Sequence, residues 1–257
     1  MRSGFCEGAA SAIIGFVHRI SALALLLLAL NAHAQFSTRP ADATVPIVAS
    51  TRGQSNATFK SEVQLANGSE DKMTGWLHLR PHDIFKRYDL EPHATVAFAD
   101  IVAEMGATGV GSLDVFVDEG TVPTIVVRAY DDQPAGTTGV TVPALTRADI
   151  LERAAVRSLI VPAALGPRFR FNIGIRAMED GATLELTTFD ATGAERHFRS
   201  IQLPAHHFEQ QPGSAMAGVE LAGNDSIRVR VAAGSAIVYA TSVDNVTNDS
   251  AMQVLRR

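Results

Sequence analysis

This chain carries one pattern of strands twice. Phe59-Lys60-Ser61-Glu62-Val63-Gln64-Leu65-Ala66-Asn67 returns as Phe169-Arg170-Phe171-Asn172-Ile173-Gly174-Ile175-Arg176-Ala177, with the apolar phase kept and the polar identities mostly changed. Gly111-Ser112-Leu113-Asp114-Val115-Phe116-Val117 returns as Asp225-Ser226-Ile227-Arg228-Val229-Arg230-Val231, and Gly120 follows at the same distance as Gly234. The period, about 110 residues, exceeds a solenoid unit and matches a small independent domain. An all-β fold is expected, with two tandem antiparallel β-sandwich modules over residues 45–145 and 157–257.

The local pattern agrees. From Phe59, apolar and polar residues alternate with period two, so each strand buries one face. Further strands are predicted at Thr74 to Arg80, Leu113 to Val117, Val122 to Tyr130, Ala182 to Phe189, Phe198 to Leu203, Ile227 to Val231 and Ala236 to Val243. They are β-branched and separated by turn signals such as Asn67-Gly68, Glu119-Gly120, Asp180-Gly181 and Ala233-Gly234. Val45-Pro46-Ile47-Val48 is expected as an edge strand, where Pro is tolerated. A short helical turn is expected at Asp100 to Gly106, with an Asp cap and a Gly stop. A capping-box spacing from Thr146 to Asp149 predicts a short linker helix over residues 146–156.

The first 34 residues are read as a signal peptide. Arg2 and His18-Arg19 precede the apolar run Ile20 to Leu30, and Ala32-His33-Ala34 gives a small-x-small cleavage site. The run is too short to cross about 30 Å of hydrocarbon as a helix, so no membrane span is expected after cleavage. A polar leader with Pro40 follows over residues 35–44. Taking Arg2, Arg19 and Glu7 from 22 basic and 27 acidic residues leaves 20 and 26, a net charge of −6. That balance offers no basic footprint for nucleic acid. The one cysteine, Cys6, precedes the apolar run, so the exported part has neither disulfides nor thiolate chemistry.

The order Val45-Pro46-Ile47-Val48-Ala49, Phe59 to Asn67, Arg128-Ala129-Tyr130-Asp131 and Gly136-Thr137-Thr138-Gly139-Val140-Thr141-Val142-Pro143 resembles an uncharacterised tandem β-sandwich-like region of exported bacterial proteins. Phe169 to Ile175 and Ser242-Val243-Asp244-Asn245 extend the resemblance over the second copy. It implies a secreted, non-catalytic module and carries over no site residues. The chain departs from the pattern at Ser61, where a larger hydroxyl residue is expected, and it is expected to act without an attached catalytic domain.

Familiar nucleophile and phosphate-loop motifs are missing. Metal chemistry is the main enzymatic alternative, a metal-dependent hydrolase using His206, His207 and Glu209, or His78 and His82. Pro81 argues against a helix carrying the latter pair, and consecutive strand residues face opposite sides. The acidic turns Asp131-Asp132 and Asp244 to Asp249 offer oxygens for Ca²⁺ but lack EF-hand alternation and suit ordinary Asx turns. No cofactor is expected. Aligning Thr74 with Thr183 places Leu77 with Leu186 in the core and Trp76 with Glu185 outside. Trp76, His78 and Arg80 then form an outward stripe suited to binding or to packing under other parts of the chain. The expectation is a secreted or periplasmic binding or structural module of the cell envelope, with a polysaccharide or an envelope protein as partner. Pairing of edge strands such as Val45 to Ala49 would instead make it an assembly subunit.

Overall fold

The protein is described here from a computed structural model covering residues 39–53, 56–166 and 168–257. The expected signal peptide, its cleavage site and the start of the leader lie outside the described residues. The first half is almost entirely strand: β1 (Ala43–Arg52), β2 (Thr58–Ala66), β3 (Met73–Arg80), β4 (Ile84–Leu90), β5 (Thr95–Phe98), β6 (Gly109–Glu119), β7 (Thr124–Gln133) and β8 (Gly136–Val142). One helical turn, α1 (Ile101–Glu104), interrupts them, and the Asp100 carboxylate accepts from the Ala103 N–H as an N-cap should. The second half follows with β9 (Leu151–Glu152), β10 (Val156–Ile160), β11 (Phe169–Phe189), β12 (Glu195–Leu203), β13 (Phe208–Pro212), the short helix α2 (Gly213–Ala217), β14 (Ser226–Asp244) and β15 (Ser250–Leu255). Among the described residues every ladder between these strands is antiparallel.

The duplication is present in the topology of the main ladders, with β9, among the described residues, the one strand that has no counterpart in the first half. In the first half one ladder runs β4-β3-β6-β1 and the other β5-β2-β7-β8. The second half repeats them as β12-β11-β14-β10, using the C-terminal part of β11 and the N-terminal part of β14, and as β13-β11-β14-β15, using the remaining parts. Register agrees as well: His78 opposite Asp114 corresponds to Thr187 opposite Arg228, and Val63 opposite Val127 to Ile173 opposite Ala240.

The halves differ most at one corner. The loops between β2 and β3 and between β6 and β7 have no counterpart in the second half, where β11 and β14 run through as long bent strands. Gly181 and Gly234, expected as turns, are the bends, with φ of +70° and +69°. A Cβ on Gly234 would lie 2.0 Å from the Gly181 carbonyl oxygen, so this close approach needs glycine.

Each half closes its own core. Val45, Val63, Leu65, Leu77, Leu113 and Val115 fill the first, with Ile101 of α1 beneath them; Leu159, Ile173, Leu184, Leu186, Ile227 and Val229 fill the second. The first cluster also takes in Met178, Ile237 and Tyr239 from the second half, and residues 41–257 form one compact unit.

Two expectations are corrected. β1 is no open edge: it lies between β6 and β2 in the sheet order, and residues 43–49 are all buried. Pro46 is tolerated because it sits where the register with β6 shifts between Val45 and Val48, a bulge that asks for no ladder N–H. The linker helix is only a 3₁₀ turn, Arg147–Asp149. Asp149 does accept from the Thr146 N–H and hydroxyl, both at 3.0 Å, but Leu151 is then drawn into the core opposite Ala236 and ends the turn.

Candidate functional site

The stripe of Trp76, His78 and Arg80 points outward from β3, away from Leu77 and Leu79, as the alternation requires. It is nevertheless not an open binding surface. His78 is 1% exposed and stacks on Phe85 of β4 with ring centroids 3.8 Å apart. Trp76 donates its indole N–H to Asp118 at 3.0 Å, and the Arg87 guanidinium lies over its ring. Arg80 joins a buried charge cluster on which the second half closes.

That cluster centres on Asp114 of β6. Its carboxylate accepts from Arg176 of β11 at 2.7 Å, from the Thr44 hydroxyl at 3.1 Å and from Arg80 at 3.4 Å. Asp114 and Arg176 are both at least 98% buried. Arg176 also donates to the Ala177 carbonyl and approaches His206 Nδ1 at 3.4 Å. Burial alone would raise the Asp114 pKa; Arg176, then Arg80, outweigh it and hold the carboxyl below its ordinary value. His78 donates its Nε2–H to the Asp83 carboxylate at 2.7 Å, yet burial, with Arg80 next in weight, pushes its pKa down to about 4. The imidazole is therefore neutral at neutral pH. Three buried polar atoms in this region, His78 Nδ1, Ser112 Oγ and Arg176 Nε, have no hydrogen-bond partner among the described residues. The cluster is an electrostatic lock between the halves.

The other predicted residues disperse. His206 and His207 lie in the turn before β13, not on a strand; His206 has φ +61° and turns toward Arg176, while His207 faces Glu209 at 3.6 Å. His82 is exposed in the turn after β3. Among the described residues no three His, Cys, Asp or Glu side chains come together to hold a metal ion. The acidic turns are occupied by their own chain. Asp244 Oδ1 accepts from the N–H groups of Val246 and Thr247 in an Asx turn, and Asp131 accepts from the Thr58 N–H and from Asn248.

A groove absent from the sequence reading lies on the second half. The outer face of β12-β11-β14-β10 holds a depression of about 330 Å³ bordered by Phe198 and Val156, with Glu185, Thr187, Arg228 and Arg230 across its floor. Phe198 is 54% exposed, Val156 44% and nearby Ile160 61%. Arg230 pairs with Glu185 at 2.5 Å, and Arg228 donates to the Thr187 hydroxyl at 3.3 Å while lying over the Phe189 ring. By register Phe198 opposite Thr187 is the counterpart of Phe85 opposite His78. Both copies keep a phenylalanine there. In the first it stacks on His78; in the second it faces solvent. Extending the alignment from Trp76/Glu185 to β4 and β12 would have found this pair, but β4 carries Lys86 and Arg87 between its apolar residues and gives a weak strand signal.

Comparison with known protein families, curated proteins and solved structures finds no match for this chain. Among the described residues no helix is long and apolar enough to cross a membrane.

Proposed function

We propose that this is an exported, non-catalytic recognition module of the bacterial cell envelope that binds a neutral polysaccharide in the groove on β12-β11-β14-β10. The observation that carries the reading is the exposed Phe198 ring beside a floor of guanidinium, carboxylate and hydroxyl groups. An aromatic ring offers a pyranose an apolar platform, and flanking donors and acceptors match its hydroxyls. Arg228 and Arg230 are balanced by Glu185 and Glu195 in the same groove, which favours an uncharged polyhydroxyl ligand over an acidic one. The signal peptide read from residues 1–34 supports export.

The test is titration of the purified protein with neutral and acidic envelope polysaccharides by calorimetry. The reading expects saturable binding of a neutral polymer, weakened about tenfold or more, roughly 1.4 kcal/mol, by Phe198→Ala and little changed by Trp76→Ala. Equal loss in both variants, or capture of acidic polymers only, contradicts it. Absence of any glycan binding would turn the assignment to a protein partner.

A further inference from the structure

A second concavity, remote from the groove, lies at the seam between the halves. Its volume is about 120 Å³. One wall comes from the first half and is mainly apolar, with Ile47, Val110, Ala129 and Val140 in it and Thr51 as its polar member. The other comes from the second half and is mainly polar: Asn172, Gln210 and Thr241, with Arg170 and the apolar Val243 beside them. Such a division is not needed to glue the halves together, since an apolar wall facing an apolar wall would do that at lower desolvation cost. An apolar space with a few convergent polar groups is instead the form of a small-molecule site.

The polar wall selects for charge. Arg170 donates to Asn245 at 3.3 Å and to Asn248 at 3.0 Å, and Asp131 and Asp244 lie close enough to act on it electrostatically. Two of its guanidinium nitrogens are thus committed to these amides, and the nearby carboxylates weaken the pull it exerts on an anion. Gln210 accepts the Tyr239 hydroxyl through Oε1 at 2.9 Å, which leaves its amide nitrogen as a donor. Size sets the other limit: a cavity of roughly 150 Å³ lined by apolar side chains holds benzene, so this one takes a body of about six carbons or fewer.

We infer that the seam cavity binds an uncharged amphiphile, a short aliphatic or ring segment seated against Ile47, Val110 and Val140 with a hydroxyl or carbonyl group on Asn172, Gln210 and Thr241. The site is composite, so it exists only while both halves are docked.

The experiment is a titration of methyl-labelled protein with the linear alcohols from butanol to octanol, and with hexanoate as the charged comparator, followed by NMR. Shifts should saturate at the Ile47, Val110 and Val140 methyls, with affinity rising to about six carbons and gaining nothing beyond, and hexanoate should bind about tenfold more weakly than hexanol. Val140→Phe, or the smaller filling Ala129→Val should Val140→Phe fail to fold, should abolish the shifts. Asn172→Ala should weaken hexanol several-fold. Hexanoate binding as tightly as hexanol, affinity climbing steadily with chain length, or shifts that survive the filling variant would each overturn the inference.

Discussion

The two halves share a topology and a register but present opposite outer faces. On β7, Thr124, Val126 and Arg128 face outward, and Val126 is 50% exposed. Their counterparts on β14, Ile237, Tyr239 and Thr241, are buried at the seam, with Tyr239 at 0%. The second pair of ladders reverses the contrast: on β6 the outward Asp114 is buried, while its counterpart Arg228 borders an open groove. A duplicated unit with both copies exposed would keep both sets polar. Here each copy has surrendered one sheet face to the seam, a different one in each, and has kept the other for solvent. This asymmetry explains why the polar identities diverged while the core phase did not.

The largest break in the comparison should come from Arg176→Ala, which installs the residue the first half has at this place, Ala66. It strands Asp114 as a buried, half-compensated charge, and chemical denaturation should show a loss of about 3–5 kcal/mol. Arg228→Ala, at the position equivalent to Asp114, should stay within about 0.5 kcal/mol because it faces solvent. Tyr239→Val, which installs the counterpart Val126, removes a buried ring that lies against Gly174 and should cost about 2–4 kcal/mol by the same measurement.

Acid should weaken the seam by an intermediate amount. The folded His78 titrates near 4, below its ordinary 6.5, so between these values the unfolded chain takes up a proton that the folded one refuses. Stability therefore falls as pH drops from about 6.5 to about 4, on the order of 2 kcal/mol. Asp114, held below its ordinary 3.8, contributes stability that is present above that value and lost as pH falls further through its folded value. Melting temperature against pH should show both declines, and His78→Gln should flatten the upper one alone. The smallest effect is expected at Phe198→Ala, within about 0.5 kcal/mol, whereas Phe85→Ala unstacks His78 and should cost more.

Apolar periodicity was enough to locate the strands at Phe59, Thr74, Leu113 and Ala182 and to pair the copies, because those strands bury one face under any arrangement of the halves. The Asp100 cap and Gly106 stop were likewise local and correctly placed α1. Short strands with mixed faces, such as β4, β10 and β13, gave no such signal, since neither of their faces is uniformly apolar. Gly181 and Gly234 read as turns in the sequence yet lie within continuous strands, because a positive φ bends a strand as readily as it ends one. The seam lay beyond reach for a different reason. Arg176 sits among polar residues in the alternation of β11, and only the docking of the halves makes it a buried partner of Asp114.

A seam that buries Asp114 against Arg176 requires the two halves to unfold as one cooperative unit. Trp76, the single tryptophan, sits in the first half, so its fluorescence can be compared with far-ultraviolet circular dichroism of the whole chain during denaturant unfolding. Coincident transitions are predicted for the natural protein, with the two signals separating once Arg176→Ala opens the seam. A Trp76 transition already displaced from the circular dichroism transition in the natural protein would show two independently folding halves and contradict the account.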